Sequence, residues 1–77
     1  MKLPRNLSGE RLSKILIKHG YRPAHSSGSH LRLFHPGPPK HSVTIPMHAV
    51  LKVGTLNAIL TAVAKHLKTD KNSILRD

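Results

Sequence analysis

The chain carries seven histidines among its 77 residues. Imidazole is the side chain whose charge changes near neutral pH, and it also binds metals. His25, His30, His35, His41 and His48 recur at loose intervals through the middle of the sequence. Structural and catalytic zinc sites instead use tight pairs on a helix, or cysteine and carboxylate partners. There is no cysteine, and the only acids, Glu10, Asp70 and Asp77, lie near the chain ends. A formal net charge of +10 also repels a divalent cation. We therefore expect no metal site. Ser29 and His30 are neighbours in sequence, which is not triad geometry, and no mid-chain Asp or Glu stands ready to orient an imidazole. Paired-carboxylate hydrolysis lacks its carboxylates, and no Walker-type phosphate loop is present.

What these exclusions leave is proton transfer by histidine at a phosphodiester. RNA supplies its own nucleophile, the 2′-hydroxyl. A neutral imidazole takes that proton, an imidazolium protonates the leaving 5′-oxygen, and cationic groups hold the phosphate. The segment Ser27-Gly28-Ser29-His30 sets small residues directly before a histidine, and Gly28 and Ser29 would let a phosphate approach the backbone. The same residues also read as a plain hairpin turn followed by an exposed strand residue. Lys52-Val53-Gly54-Thr55 forms a second candidate, an anion site at the head of a helix with Lys52, Gly54 and Thr55 as contacts. Its plainer reading is a helix cap at Gly54 or Thr55 with Lys52 in solvent. His48 lies in the loop between the expected third strand and this anion site and is a secondary candidate. His19 and His66 fall near helix ends, where a cation is favoured at the C-terminus, and His35 and His41 flank a turn, so only plain structural roles are expected of them.

Charge limits the partners. Thirteen Lys and Arg face three acids, spread along the chain rather than gathered in a tail. That pattern suits a folded basic surface. It ranks nucleic acid first among partners, an acidic protein second and an anionic membrane third. The absence of cysteine fits a reducing, cytoplasmic setting. Met1 to Glu10 contains no apolar run, so no signal peptide is expected, and no stretch approaches the ~20 apolar residues of a bilayer span. A chain this short is read as one domain, residues 1–77, with an arm over 1–7 and a short extension over 69–77.

The positioning elements follow from periodicity. Ser8 is a plausible N-cap, Glu10 suits a first helical turn, and Leu12, Ile15, Leu16 and His19 mark one helical face. Gly20 ends that helix. Tyr21 to His25 predicts a first strand, weakened by Pro23, and Ser26 to Ser29 a turn. His30 to His35 alternates, with Leu31 and Leu33 on one face and His30, Arg32 and Phe34 on the other. After a loop over Pro36 to Lys40, His41 to Ile45 predicts a third strand with Val43 and Ile45 inward. Pro46 to Lys52 connects to a helix whose stripe is Leu56, Ile59, Leu60, Val63, Ala64 and Leu67. Thr69 is the expected cap of a last short helix carrying Ile74 and Leu75. The sum is an α+β fold, α-β-β-β-α, with a three-stranded antiparallel meander and two helices on one face. His30, Arg32 and Thr44 then sit on the uncovered side.

Three segments in order resemble the HicA-type mRNA-interferase toxins. Ser27-Gly28-Ser29-His30-Leu31-Arg32-Leu33-Phe34-His35-Pro36 is similar to that family's GSH-strand-HP signature. Ile45-Pro46-Met47-His48, followed by Gly54-Thr55-Leu56, resembles its proline-histidine loop and helix start, and His19-Gly20-Tyr21 fits the end of its opening helix. The resemblance implies a double-stranded-RNA-binding-domain-like fold. It also implies ribosome-independent cleavage of mRNA and a neutralising HicB-type antitoxin; from the residues themselves no cofactor is expected. The family's catalytic histidine falls on His30, its preceding Gly-Ser on Gly28 and Ser29, and its helix start on Gly54, Thr55 and Leu56. Two features depart from the pattern: Leu31 stands where a second polar residue is frequent, and Gly37-Pro38-Pro39 makes a stiffer turn.

Overall fold

A computed structural model of the chain describes residues 6–76. Most of the expected arm, residues 1–5, and Asp77 at the end of the expected extension lie outside them. The elements are α1 (Gly9–Lys18), β1 (Arg22–Ser27), β2 (His30–His35), β3 (His41–Pro46), α2 (Val53–Leu67) and α3 (Lys71–Leu75). This is the α-β-β-β-α order that the periodicity predicts.

Helix α1 begins where Ser8 Oγ accepts the Arg11 backbone N–H at 3.0 Å, satisfying one of the amides that a helix start leaves unbonded. It ends because Gly20 takes φ +99°, a left-handed conformation open to glycine. Its amphipathic spacing buries Leu12, Ile15 and Leu16. His19, at the edge of that face, reaches the carbonyl of Ile74 through Nε2 at 3.0 Å. A carbonyl only accepts, so His19 carries its proton on Nε2.

Two caps differ from expectation. Helix α2 starts at Val53 with Lys52 as its N-cap and no side-chain capping bond, so Gly54 and Thr55 lie inside the first turn. The apolar stripe begins only at Leu56, which is why the sequence places the start too late. Helix α3 is capped by Asp70 rather than Thr69: Asp70 Oδ1 accepts the Ser73 N–H at 2.7 Å. That bond holds the Asp70 carboxyl below the usual carboxylate range. Thr69 instead helps close α2, its N–H bonded to the Ala64 carbonyl at 3.0 Å behind a left-handed Lys68.

The sheet is an antiparallel meander in the order β1-β2-β3, so β2 is central. On β2, Leu31 pairs with Ile45 and Leu33 with Val43. These positions face the helices. Leu33, Val43 and Ile45 join Leu12, Leu16, Leu51, Leu56 and Leu60 in one buried cluster. Full burial of each such side chain contributes roughly 1.5–3 kcal/mol. The alternate positions, His30, Arg32, Ser42 and Thr44, are exposed. Both long helices therefore cover the same face and leave the other open.

Strand β1 runs two residues further than expected, to Ser27, and the turn shrinks to Gly28-Ser29. Gly28 has φ +57°, and Ser29 is not in the left-handed region. Glycine at the first loop position is the type II′ pattern, whose twist matches antiparallel strands. A bulge lies between Pro23 and His25: Pro23 pairs with Leu33, while His25, not Ala24, pairs with Arg32.

Candidate functional site

The Gly28-Ser29 turn and the strand that follows build the first part of the site. His30 opens β2, directly across from Ser27 on one side and Pro46 on the other. It is exposed on the open face, and Arg32 follows it along that face. A Cβ placed on Gly28 would meet nothing within 4 Å, so the space beside Gly28 is open. Gly28, Ser29, His30 and Arg32 are thus brought together.

The loop after β3 is tied to this turn. The Met47 N–H donates to the Ser29 carbonyl at 2.6 Å, the Gly9 N–H donates to the His48 carbonyl at 3.0 Å, and the Leu51 N–H donates to the Leu7 carbonyl at 2.8 Å. Ser13, buried on α1, donates its hydroxyl to the Gly9 carbonyl at 2.8 Å and lies 3.8 Å from Met47 Sδ. One side of the loop is therefore fastened to the hairpin tip and the other to α1. The His48 side chain is exposed, but its backbone is drawn toward the helix layer. Lys52, Gly54 and Thr55 stand at the head of α2, at the same end of the molecule but in the helix layer. They form a second group beside the His30 group, not part of it.

At the opposite end of the sheet lies a cluster that the sequence reading does not assemble. His35 pairs with His41 across the β2–β3 ladder, and His66 of α2 joins them. His35 Nδ1 accepts the Gly37 backbone N–H at 3.1 Å, so the 3.0 Å contact with His66 Nε2 requires His66 to be the donor. The His41 ring stacks on His66, and Tyr21 meets all three imidazoles at tilted or edge-on angles. The Tyr21 hydroxyl and His41 Nε2 are shut off from solvent without a hydrogen-bond partner. Burial pushes the Tyr21 phenol up to about 12 and the His41 imidazole below its ordinary value, where repulsion from His66 and His35 adds to the effect. The signal for this cluster lies in the alternation. Positions 31, 33 and 35 share a face with 45, 43 and 41, so His35 and His41 must meet. Among the described residues no three His, Cys, Asp or Glu side chains are arranged to hold a metal ion. No helix among them is long and apolar enough to cross a membrane.

A basic α-β-β-β-α protein with an exposed histidine heading its central strand is the class that these features define. The sequence matches the family model of the HicA toxin of bacterial toxin-antitoxin systems over residues 9–67, from the first residue of α1 to the last of α2. The chain belongs to the HicA toxin family. Its role is that of the toxin, and an antitoxin is the partner that such a system supplies. Comparison with curated proteins and with solved structures finds no match.

Proposed function

We propose that this toxin is a ribosome-independent mRNA endonuclease that works without metal or cofactor, acts in the cytoplasm and is silenced by a HicB-type antitoxin. Residues 1–77 act as one catalytic domain in this reading. The observation that carries it is the placement of His30: exposed, at the head of the central strand, on the face that no helix covers, with Arg32 beside it.

His30 as a neutral imidazole removes the proton from a ribose 2′-hydroxyl. The 2′-oxygen attacks phosphorus, and the 5′-oxygen leaves. The products are a 2′,3′-cyclic phosphate and a 5′-hydroxyl. The open space at Gly28, with Ser29 beside it, admits the phosphate, and Arg32 neutralises it with a guanidinium suited to two oxygens at once. Further along the strand, Lys52 and the first amides of α2, at Gly54 and Thr55, hold a neighbouring phosphate. Most of these contacts are to backbone, so they fix the register of the RNA more than its sequence.

Purified protein and its His30→Ala variant are incubated with single-stranded RNA in EDTA. The reading expects cleavage by the wild type, loss of at least about 100-fold in the variant, equal RNA binding by both, and cyclic phosphate ends. Binding by both proteins with cleavage by neither would overturn the nuclease reading in favour of a binding module.

A further inference from the structure

Transesterification at phosphorus needs two proton transfers, and His30 accounts for one. The bulge in β1 supplies a second group. In an unbroken ladder Ala24 would pair with Arg32, and His25 would pair with Leu31 on the face toward the helices. The extra residue shifts the register by one, so that His25 pairs with Arg32 and turns to the open face. A one-residue shift moves every later side chain to the other side of a sheet, and bulges recur where a side chain must be re-aimed. Ser27 stands directly across from His30, which makes His25 its diagonal cross-strand neighbour. Diagonal neighbours lie roughly 7–8 Å apart at Cα, within reach of long side chains. Two imidazoles at that spacing are able to flank a single phosphodiester, each within hydrogen-bond reach of its own oxygen.

Resting on the nuclease reading above, we propose that His25 is the general acid of this site and forms a base–acid pair with His30. His30 accepts the 2′-hydroxyl proton as the bond from the 2′-oxygen to phosphorus forms. His25, entering as imidazolium, gives its proton to the 5′-oxygen as the bond from phosphorus to that oxygen breaks. His30 then releases a proton to water and His25 regains one, so the enzyme returns to its starting state with no co-reactant. The charged and titratable groups on this face are Arg22 and His25 from β1 and His30 and Arg32 from β2. β3 contributes Ser42 and Thr44, which do not titrate. His48 is the rival acid, but its backbone carbonyl is held by the Gly9 N–H of α1, on the helix side of the sheet.

The test compares the wild type with His25→Ala, His25→Gln, His30→Ala and His48→Ala on RNA and on uridine 3′-(4-nitrophenyl phosphate), whose leaving group needs no proton. On RNA, both His25 variants should lose about 10²–10⁴-fold in kcat and the alkaline limb of the pH–rate profile, with RNA binding kept. On the nitrophenyl ester they should cleave within a few-fold of wild type, while His30→Ala stays slow. Wild-type rates on RNA for the His25 variants, or equal defects on both substrates, would overturn the assignment while leaving the nuclease reading intact. So would finding that His48→Ala is the variant rescued by the ester. Absence of cleavage by the wild type on either substrate would remove the nuclease reading and this inference together.

Discussion

The ring of His41 lies on that of His66 with centroids 4.6 Å apart and planes inclined by 21°. Both rings sit against Tyr21, whose side chain is fully buried. This end of the fold tolerates the neutral imidazole of His41 better than the charged one.

Acid should therefore loosen the fold through His41. Its folded-state pKa is lowered from 6.5 by burial first and by His66 and His35 second. Unfolded chains then bind more protons than folded ones as pH falls below 6.5, so the stabilisation present above that pH is lost through the folded value. Asp70, also depressed, acts only below its ordinary 3.8, in a separate window. Urea midpoints measured from pH 7.5 down to 5 should fall for the wild type. His41→Phe keeps a ring on His66 and removes the titration, and its midpoint should fall less. A wild-type midpoint that does not move over this range would refute the account.

Gly9→Ala should destabilise the protein by about 1–3 kcal/mol, the usual cost of forcing atoms into a filled space. A Cβ there would collide with the Pro46 carbonyl and lie 2.9 Å from Met47 Cα. Those are backbone atoms, which cannot swing aside as a side chain would. Because this segment is bonded to the Ser29 carbonyl, the change should also lower kcat on RNA. Thermal melts and initial rates on the same preparation check both effects. An unchanged melt would show that α1 does not press on the loop.

Arg32→Gln removes one cation from the open face without touching the core. RNA affinity should weaken, and the slope of log K against log salt should shrink by roughly 0.7, the share of a single phosphate on a single strand. Titrations at several salt concentrations give the slope. An affinity loss with the slope unchanged would place Arg32 on a base or on the protein, not on phosphate.

The topology and most of the core were legible in the sequence because each element has a clean period. Ser8, Gly20, the inward set Leu31, Leu33, Val43 and Ile45, and the stripe from Leu56 to Leu67 all lie where the pattern puts them. Element ends were less legible. Lys52 caps α2 with no side-chain signature, and the true cap Asp70 sits beside an equally eligible Thr69. On the site, the exposure of His30 beside Arg32 follows directly from alternation. The placement of His25 does not, because a bulge is a register event set by pairing, and Pro23-Ala24 carries no periodic mark of it. The His35–His41–His66 cluster was half visible: the strand pair follows from alternation, but the docking of His66 depends on how α2 lies across the sheet.

The central position of β2 also decides what kind of inhibitor this toxin admits. β2 is hydrogen-bonded on both sides, so a partner that adds a strand meets only the outer edge of β1 or β3. Such a partner would leave the His30 face uncovered and, under the nuclease proposal, open to RNA. An antitoxin that silences the protein by shielding must instead lay its own surface over that face. On the proposal that RNA lands at His30, RNA and such an antitoxin would be mutually exclusive ligands, and the apparent affinity of each would fall as the concentration of the other rises.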